Sequence, residues 1–499
     1  MLITKNQSIL GIISLIGILI FNALLINYNA FRSFNLYDMG CFIDVGWRML
    51  QGQKPYLDFL YSTGPVHLYM NLFFFKIFGL GKAGILWHMI LTSSIIIIVT
   101  YIIARKYLPM VISSIMAMLS AASFYVPTAF PWYDHSAHLW GILVIFLIIL
   151  NITIKDYKRL KLISFIAGAR AVFSVMTKIN IGIAYGVCFF LFWLFHYEPR
   201  KTIYSYIAGA VMTFLLFFCL MPSPEKYFEQ SIIYAYQQAN RLDVFKSLSS
   251  WLPKSYGMVI GIVIINIWPD FKKTSGFFRL FLLVNAVAIF SLRTGMLGPV
   301  NVLLRGIILT LAFILIFENR KISSGTNFLS LYKFSVVALV ILSLVFSFRS
   351  IMYGIERGKW NYGPHRMGNY ALKSSPLRGW LFDKVDGEII DDMVVYIKSN
   401  IPFNENLLIL NDYQIIYALT GRESFKGIPF IFGSDMTGPK MLRQSQEAVL
   451  KHPPVWIINV KEEGVDQMNY SALHLPASFI SSYVLVKSWG SYGLFQRKS

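Results

Sequence analysis

A small set of polar side chains stands where chemistry could be done. Asp38, Asp44 and Asp58 lie within YDMGCFIDVGWRMLQGQKPYLDFLYSTGPVH, residues 37–67. Asp134 and His135 adjoin each other in VPTAFPWYDHSAH, Lys178 lies in MTKINIG, Arg241 within 222–254 and Arg293 in LRTGMLG. A carboxylate suits the removal of a proton from a hydroxyl or amine. Cations suit the holding of a phosphate and its departure as a leaving group. Two oxygen ligands beside Asp38 would be the least a divalent ion such as Mg2+ or Mn2+ needs. Asp58, Asp134, His135 and Asp44 are the further residues for substrate or metal.

The elements that must position these groups are apolar. The chain of 499 residues is 56% hydrophobic and 14% charged, with a mean hydropathy of +0.56, whereas soluble chains are about 25% charged. That composition implies an integral membrane protein. The net charge of +20 does not point to nucleic acid, because no basic, aromatic-interleaved soluble module is present. Lys and Arg collect instead in short connections between apolar runs. Cys41, Cys188 and Cys219 are scattered, with neither disulfide nor metal-ligand spacing. The first apolar run, Ile9–Ile26 after Lys5, reads as an uncleaved signal anchor.

Apolar segments of spanning length fall at 9–27, 83–103, 108–126, 136–154, 160–177, 181–197, 202–221, 255–268, 277–292, 297–317 and 331–348, a helical bundle of about eleven spans. The basic connections ARKY, KDYKRLK, HYEPRK, PDFKK and ENRK then fall on one side, which the positive-inside bias makes cytoplasmic. The N-terminus is inside and the C-terminus outside. This alternation requires that 65–79, with His67 and Lys76, lie in the outer interface rather than cross. The expected domains are a membrane bundle, 1–349, with its first outer loop at 28–82, and an extracytoplasmic linker and small α/β domain, 350–499. In that tail EIIDDMVVYIKSN has the spacing of an amphipathic helix. NLLILND and VWIINV read as buried strands, and QIIYALTGR as a short helix stopped by Gly421.

Every unusual polar group now falls on the outer face of a multi-pass protein of the cytoplasmic membrane. A sugar carried on a lipid phosphate presents its head group there. In this reading Asp38 is the general base, and Lys178, Arg293 and Arg241 hold the donor phosphate. No glycine loop for a nucleotide is seen in the tail.

The residues Asp38-Met39-Gly40, Gly46-Trp47-Arg48, GQKPYLDF with Gly52, Pro55, Tyr56 and Asp58, and Gly64-Pro65 resemble the first outer loop of the GT-C superfamily of membrane glycosyltransferases. That family includes the protein O-mannosyltransferases and the aminoarabinose transferases. TKINIG is similar to a lysine motif of related membrane transferases. The resemblance implies a mostly α, multi-span bundle. It implies an enzyme that takes a hexosyl or pentosyl group from a polyprenyl-phosphate sugar donor, with a catalytic aspartate mapping onto Asp38. The acceptor would be an extracytoplasmic glycan, lipid or protein. Many relatives carry an acidic pair at the first position, whereas Asp38 here precedes Met39 and Gly40, which bears on metal dependence.

Each residue also has a plainer reading. Asp44 is four residues from Arg48 on a short amphipathic segment and can pair with it there. Asp58 can close a local turn, and Lys178 can snorkel to head groups. Two other functions remain at this stage: a transporter or flippase of lipid-linked glycans, and a non-catalytic membrane assembly protein. Transport is disfavoured because transporters place polar groups at mid-membrane, often in repeated halves.

Overall fold

The computed structural model describes residues 5–32, 34, 36–125, 130–154, 156–195, 202–234, 280–285, 287, 301–319, 368–410, 413–429, 439–461, 473 and 475–498. In chain order the helices are α1 (Lys5–Ala30), α2 (Cys41–Leu50), α3 (Pro65–Phe78), α4 (Lys82–Tyr107), α5 (Met110–Phe124), α6 (Tyr133–Thr153), α7 (Tyr157–Val175), α8 (Ile179–Phe195), α9 (Ile203–Leu220), α10 (Pro224–Phe228), α11 (Asn301–Asn319), α12 (Lys384–Asn400), α13 (Ile415–Thr420), α14 (Pro439–Lys451) and α15 (Ala477–Ile480). A π-helical turn, Leu36–Gly40, runs directly into α2, and a second, Glu229–Ile233, follows α10.

The apolar segments of the sequence are helical wherever they are described. Within 277–292 this holds for 280–285, while 255–268 and 331–348 lie outside the described residues. By length and composition α1, α4, α6 and α9 can cross a membrane, and α5 and α8 are apolar but shorter. Over the segment 160–177 the helix α7 carries Lys161 near its start and Arg170 within, and a central charge is costly in hydrocarbon. The Arg170 guanidinium lies against the Trp140 and Phe173 rings, 4.9 and 5.5 Å from their centroids. A count of eleven spans is not confirmed.

The chain divides into two compact units: Met1–Ala30, Leu86–Cys219 and Ser249–His365 in the first, Phe31–Ile85, Leu220–Leu248 and Arg366–Ser499 in the second. Polar pairs fix the helix directions in the first unit. Asn22 Nδ2 donates to Ser93 Oγ (2.8 Å) and Tyr101 OH to the Gly11 carbonyl (3.0 Å), so α1 and α4 are antiparallel. Thr92 and Tyr125 meet at 2.9 Å, and Ser120 donates to Thr100 at 3.2 Å, so α4 and α5 are antiparallel. Ser174 donates to the Ala137 carbonyl (2.9 Å) and Asn151 to Ser164 (2.8 Å), which sets α6 against α7 in the same way. Small residues permit the closest approaches. A Cβ on Gly168 would strike the Tyr206 carbonyl, and one on Gly209 the Phe165 carbonyl.

The second unit joins three distant stretches of chain. Its main sheet has the order β3-β4-β6-β5, with β3 (Leu407–Ile409) parallel to β4 (Trp456–Val460) and antiparallel pairing of β6 (Tyr492–Arg497) with both β4 and β5 (Tyr483–Trp489). A two-residue ribbon, β1 (Tyr370–Ala371) and β2 (Leu381–Phe382), stands apart from it. The amphipathic helix expected at 388–400 is α12, which buries Ile390, Met393, Val394 and Ile397 and is capped by Asp383. Both expected strands form, and α13 ends at Gly421, whose φ of 76° is the left-handed cap a glycine supplies without strain. The hairpin β5–β6 and α14 are further elements of this unit.

Candidate functional site

The antiparallel order gathers polar groups of the first unit at one end of an apolar pack. That end receives the last turns of α1, α5 and α7, the stretch of α4 with His88 and Thr92, and the first turns of α6 and α8. Asp134 lies in the first turn of α6, and Lys178 sits in the three-residue break between α7 and α8. Lys178 Nζ lies 2.6 Å from Asp134 Oδ1, with the lysine side chain 14% exposed and the aspartate 2%. The Tyr133 ring lies 4.6 Å from the ammonium. Asp134 Oδ2 is buried with no hydrogen-bond partner among the described residues.

The break is held tightly. The Lys178 amide donates to the Ser174 carbonyl, and the Gly182 amide to the Lys178 carbonyl, both at 2.9 Å. A Cβ on Gly182 would collide with the Val175 backbone, so Gly182 allows α8 to fold back on α7 and present the lysine.

His135 stacks on Tyr125 at 4.4 Å, and His138 Nδ1 lies 2.8 Å from Tyr185 OH. His88 of α4 is likewise buried, one turn from Thr92, which meets Tyr125. His88, Tyr125 and Tyr185 were not among the residues singled out by sequence. An ionisable residue inside an apolar span was the signal for His88; nothing local marks the two tyrosines.

The other carboxylates belong to the second unit. Asp38 lies on the π-helical turn, a geometry that recurs at functional sites; its side chain is outside the described residues, as are Arg241 and Arg293. The chain entering that turn is tied to the tail. The Leu381 amide donates to the Phe31 carbonyl and the Gly368 amide to that of Arg32, each at 3.0 Å. Phe34 stacks on Phe382.

Asp44 was a candidate for substrate or metal, and the structure encloses it instead. It is fully buried and accepts from Arg48 Nε and Ser424 Oγ, each at 2.6 Å. Arg48 also donates to the Phe425 carbonyl (2.7 Å), and its guanidinium lies 5.5 Å from the Phe59 ring. Gln53 donates to the Ser424 carbonyl (2.6 Å) and Trp47 Nε1 to that of Arg422 (2.7 Å). Burial pushes the Asp44 carboxyl up, and the Arg48 charge and the two hydrogen bonds pull it partly back.

Asp58 likewise serves local structure. Its carboxylate accepts from the Lys54 amide and its carbonyl from the Gly427 amide, both at 2.7 Å. Next to it Gln230 bridges the Tyr56 carbonyl (2.9 Å) and the Tyr61 amide (3.0 Å). His67 bonds Asn71 at 2.9 Å.

No three His, Cys, Asp or Glu side chains converge among the described residues, and the Lys178 ammonium already occupies Asp134 Oδ1.

No family model matches this chain, and no curated protein matches it. Solved structures do resemble it along nearly its whole length. ArnT from Cupriavidus metallidurans bound to undecaprenyl phosphate has 10% identity and a TM-score of 0.48, covering 99% of this chain and 98% of that one. The same protein in the apo state has 12% identity and a TM-score of 0.49, covering 98% of each. The oligosaccharyltransferase of Archaeoglobus fulgidus, tethered with an acceptor peptide, has 12% identity and a TM-score of 0.48, covering 97% of this chain and 74% of that one. Likenesses at this level of identity and superposition assign no activity.

Proposed function

We propose that this chain is an integral membrane glycosyltransferase that moves a sugar from a polyprenyl-phosphate donor to a hydroxyl or amine of an extracytoplasmic acceptor. The observation that carries the reading is the gathering of Asp134, Lys178 and the buried histidines and tyrosines at one end of an apolar helix pack. That is where the head group of a lipid-borne substrate meets water. The basic connections favour the other end as the cytoplasmic one, so in this reading this end faces outward.

In the reaction the acceptor oxygen or nitrogen attacks the anomeric carbon. The carbon–oxygen bond to phosphate breaks, and its electron pair leaves with the polyprenyl phosphate. The acceptor proton passes to a carboxylate, and Asp38 is our choice for it. The chain leading to its π-helical turn is paired at residues 31 and 32 with 381 and 368, which supports an anchored segment rather than a loose loop. The leaving phosphate needs cations. Lys178 is already neutralised by Asp134, so this proposal gives the phosphate to Arg241 and Arg293.

The test is transfer of radiolabelled sugar from polyprenyl-phosphate donors into an envelope fraction, wild type against Asp38→Asn. Loss of a general base costs about 10²- to 10⁴-fold, so transfer should fall by at least ~100-fold with normal insertion. Undiminished transfer by Asp38→Asn removes Asp38 as the base. Absence of transfer by the wild type from any donor removes the glycosyltransferase.

A further inference from the structure

We propose that Asp134 and Lys178 together form a subsite for a sugar hydroxyl, not for the donor phosphate. The inference deepens the glycosyl-transfer reading and rests on it for the chemical class of ligand. The geometry supplies the discrimination. One carboxylate oxygen is taken by the ammonium at 2.6 Å. The other is buried and has no partner among the described residues. The ammonium has three N–H groups and spends one on Asp134.

A ligand that satisfies both open positions must donate to Oδ2 and accept from Nζ with the same or adjacent atoms. A hydroxyl does both. A phosphodiester oxygen only accepts, and it would bring a negative charge beside the Asp134 carboxylate. The pair is neutral as a unit, so it offers a phosphate no net attraction and offers a hydroxyl two charge-assisted hydrogen bonds. The fit is selective in the way buried polar groups are, because a ligand lacking the hydroxyl leaves Oδ2 unpaired. The rigid break between α7 and α8, with Gly182 packed on Val175, holds the lysine in place for this role.

The hydroxyl has two sources, the donor sugar or the acceptor glycan, and the probes separate them. Binding to the detergent-solubilised full chain is measured with undecaprenyl phosphate, with undecaprenyl phosphate carrying glucose, galactose, mannose or arabinose, and with the four methyl glycosides. The variants are Asp134→Asn, Lys178→Gln and the double Asp134→Asn/Lys178→Gln. The double variant buries no uncompensated charge and keeps the test open if a single variant fails to fold.

The expected result is a loss of roughly 10- to 100-fold in affinity for sugar-bearing probes, the worth of hydrogen bonds to charged groups. Affinity for undecaprenyl phosphate itself should stay unchanged in the double variant, which keeps the site neutral. Loss confined to the lipid-linked sugars assigns the donor, and loss for the methyl glycosides assigns the acceptor. Weaker undecaprenyl phosphate binding by the double variant overturns the proposal in favour of a phosphate clamp. Equal sugar binding by all variants, or no sugar binding by the wild type, overturns it as well. A wild type that binds methyl glycosides but no undecaprenyl phosphate refutes the polyprenyl donor and leaves the hydroxyl subsite standing.

Discussion

Replacing Arg48 by methionine should unfold the second unit selectively, and acid should partly rescue it. Arg48 and Asp44 have no exposed side-chain surface. Removing the guanidinium leaves a buried carboxylate without its opposing charge, and breaking one partner of a buried pair costs about 3–5 kcal/mol. The orphaned Phe425 carbonyl adds about 1 kcal/mol or more. For a unit of this size each kcal/mol moves Tm by about 2–4 °C, so a fall of ~10 °C or more is expected.

The sign with pH follows from the burial that raises the Asp44 carboxyl above its unfolded value. The folded state then holds the proton more tightly than the unfolded chain. Stability from this group is therefore greatest at low pH and declines as pH rises through the folded value. Arg48→Met removes the main opposing charge and enlarges the effect, so the gap to wild type should narrow from pH 7 to pH 5. The double variant Asp44→Leu/Arg48→Met, which buries no charge, should be more stable than Arg48→Met alone. Thermal unfolding and limited proteolysis of the full chain across that pH range read all three. A gap independent of pH, or a double variant at the sum of the single losses, would refute the reasoning.

Gln230→Ala should free the loop at 56–61, because the side chain satisfies one buried carbonyl and one buried amide; a cost of about 2–3 kcal/mol and faster hydrogen exchange at the Tyr61 amide are expected, and an unchanged exchange rate counts against the clamp. Gly182→Ala should cost about 1–3 kcal/mol, the usual penalty for overpacking, and displace the break that presents Lys178. Normal thermal stability of this variant would show that α7 and α8 are not pressed together there.

Local chemistry in this chain was legible from sequence, and long-range chemistry was not. Apolar runs gave the helices, because each must satisfy its own backbone groups, and Gly421 marked the end of α13. The spacing of Asp44 and Arg48 announced their ion pair. The same spacing was silent about Ser424, which arrives from 380 positions away. Lys178 stood out as a cation between apolar runs, yet its partner came from another helix start, visible only once α6 and α7 were known to run antiparallel. The π-helical turn under Asp38 has no sequence signature. The hairpin β5–β6 was missed although β5 alternates in burial along YVLVKSW; its outward face includes Val484 and Val486, which blurs the period-two pattern.

The stitching of residues 44–60 to 422–429 also sets a clock. Ribosomes add about 5–20 residues per second, so Ser424 is made roughly 20–80 s after Asp44. Throughout that interval the early loop has no seat for its carboxylate and guanidinium. Nascent chains and prematurely terminated ones alike carry an unfinished loop, open to proteases and chaperones. Completion of the polypeptide is thus the event that gives Asp44 and Arg48 their partners from the tail.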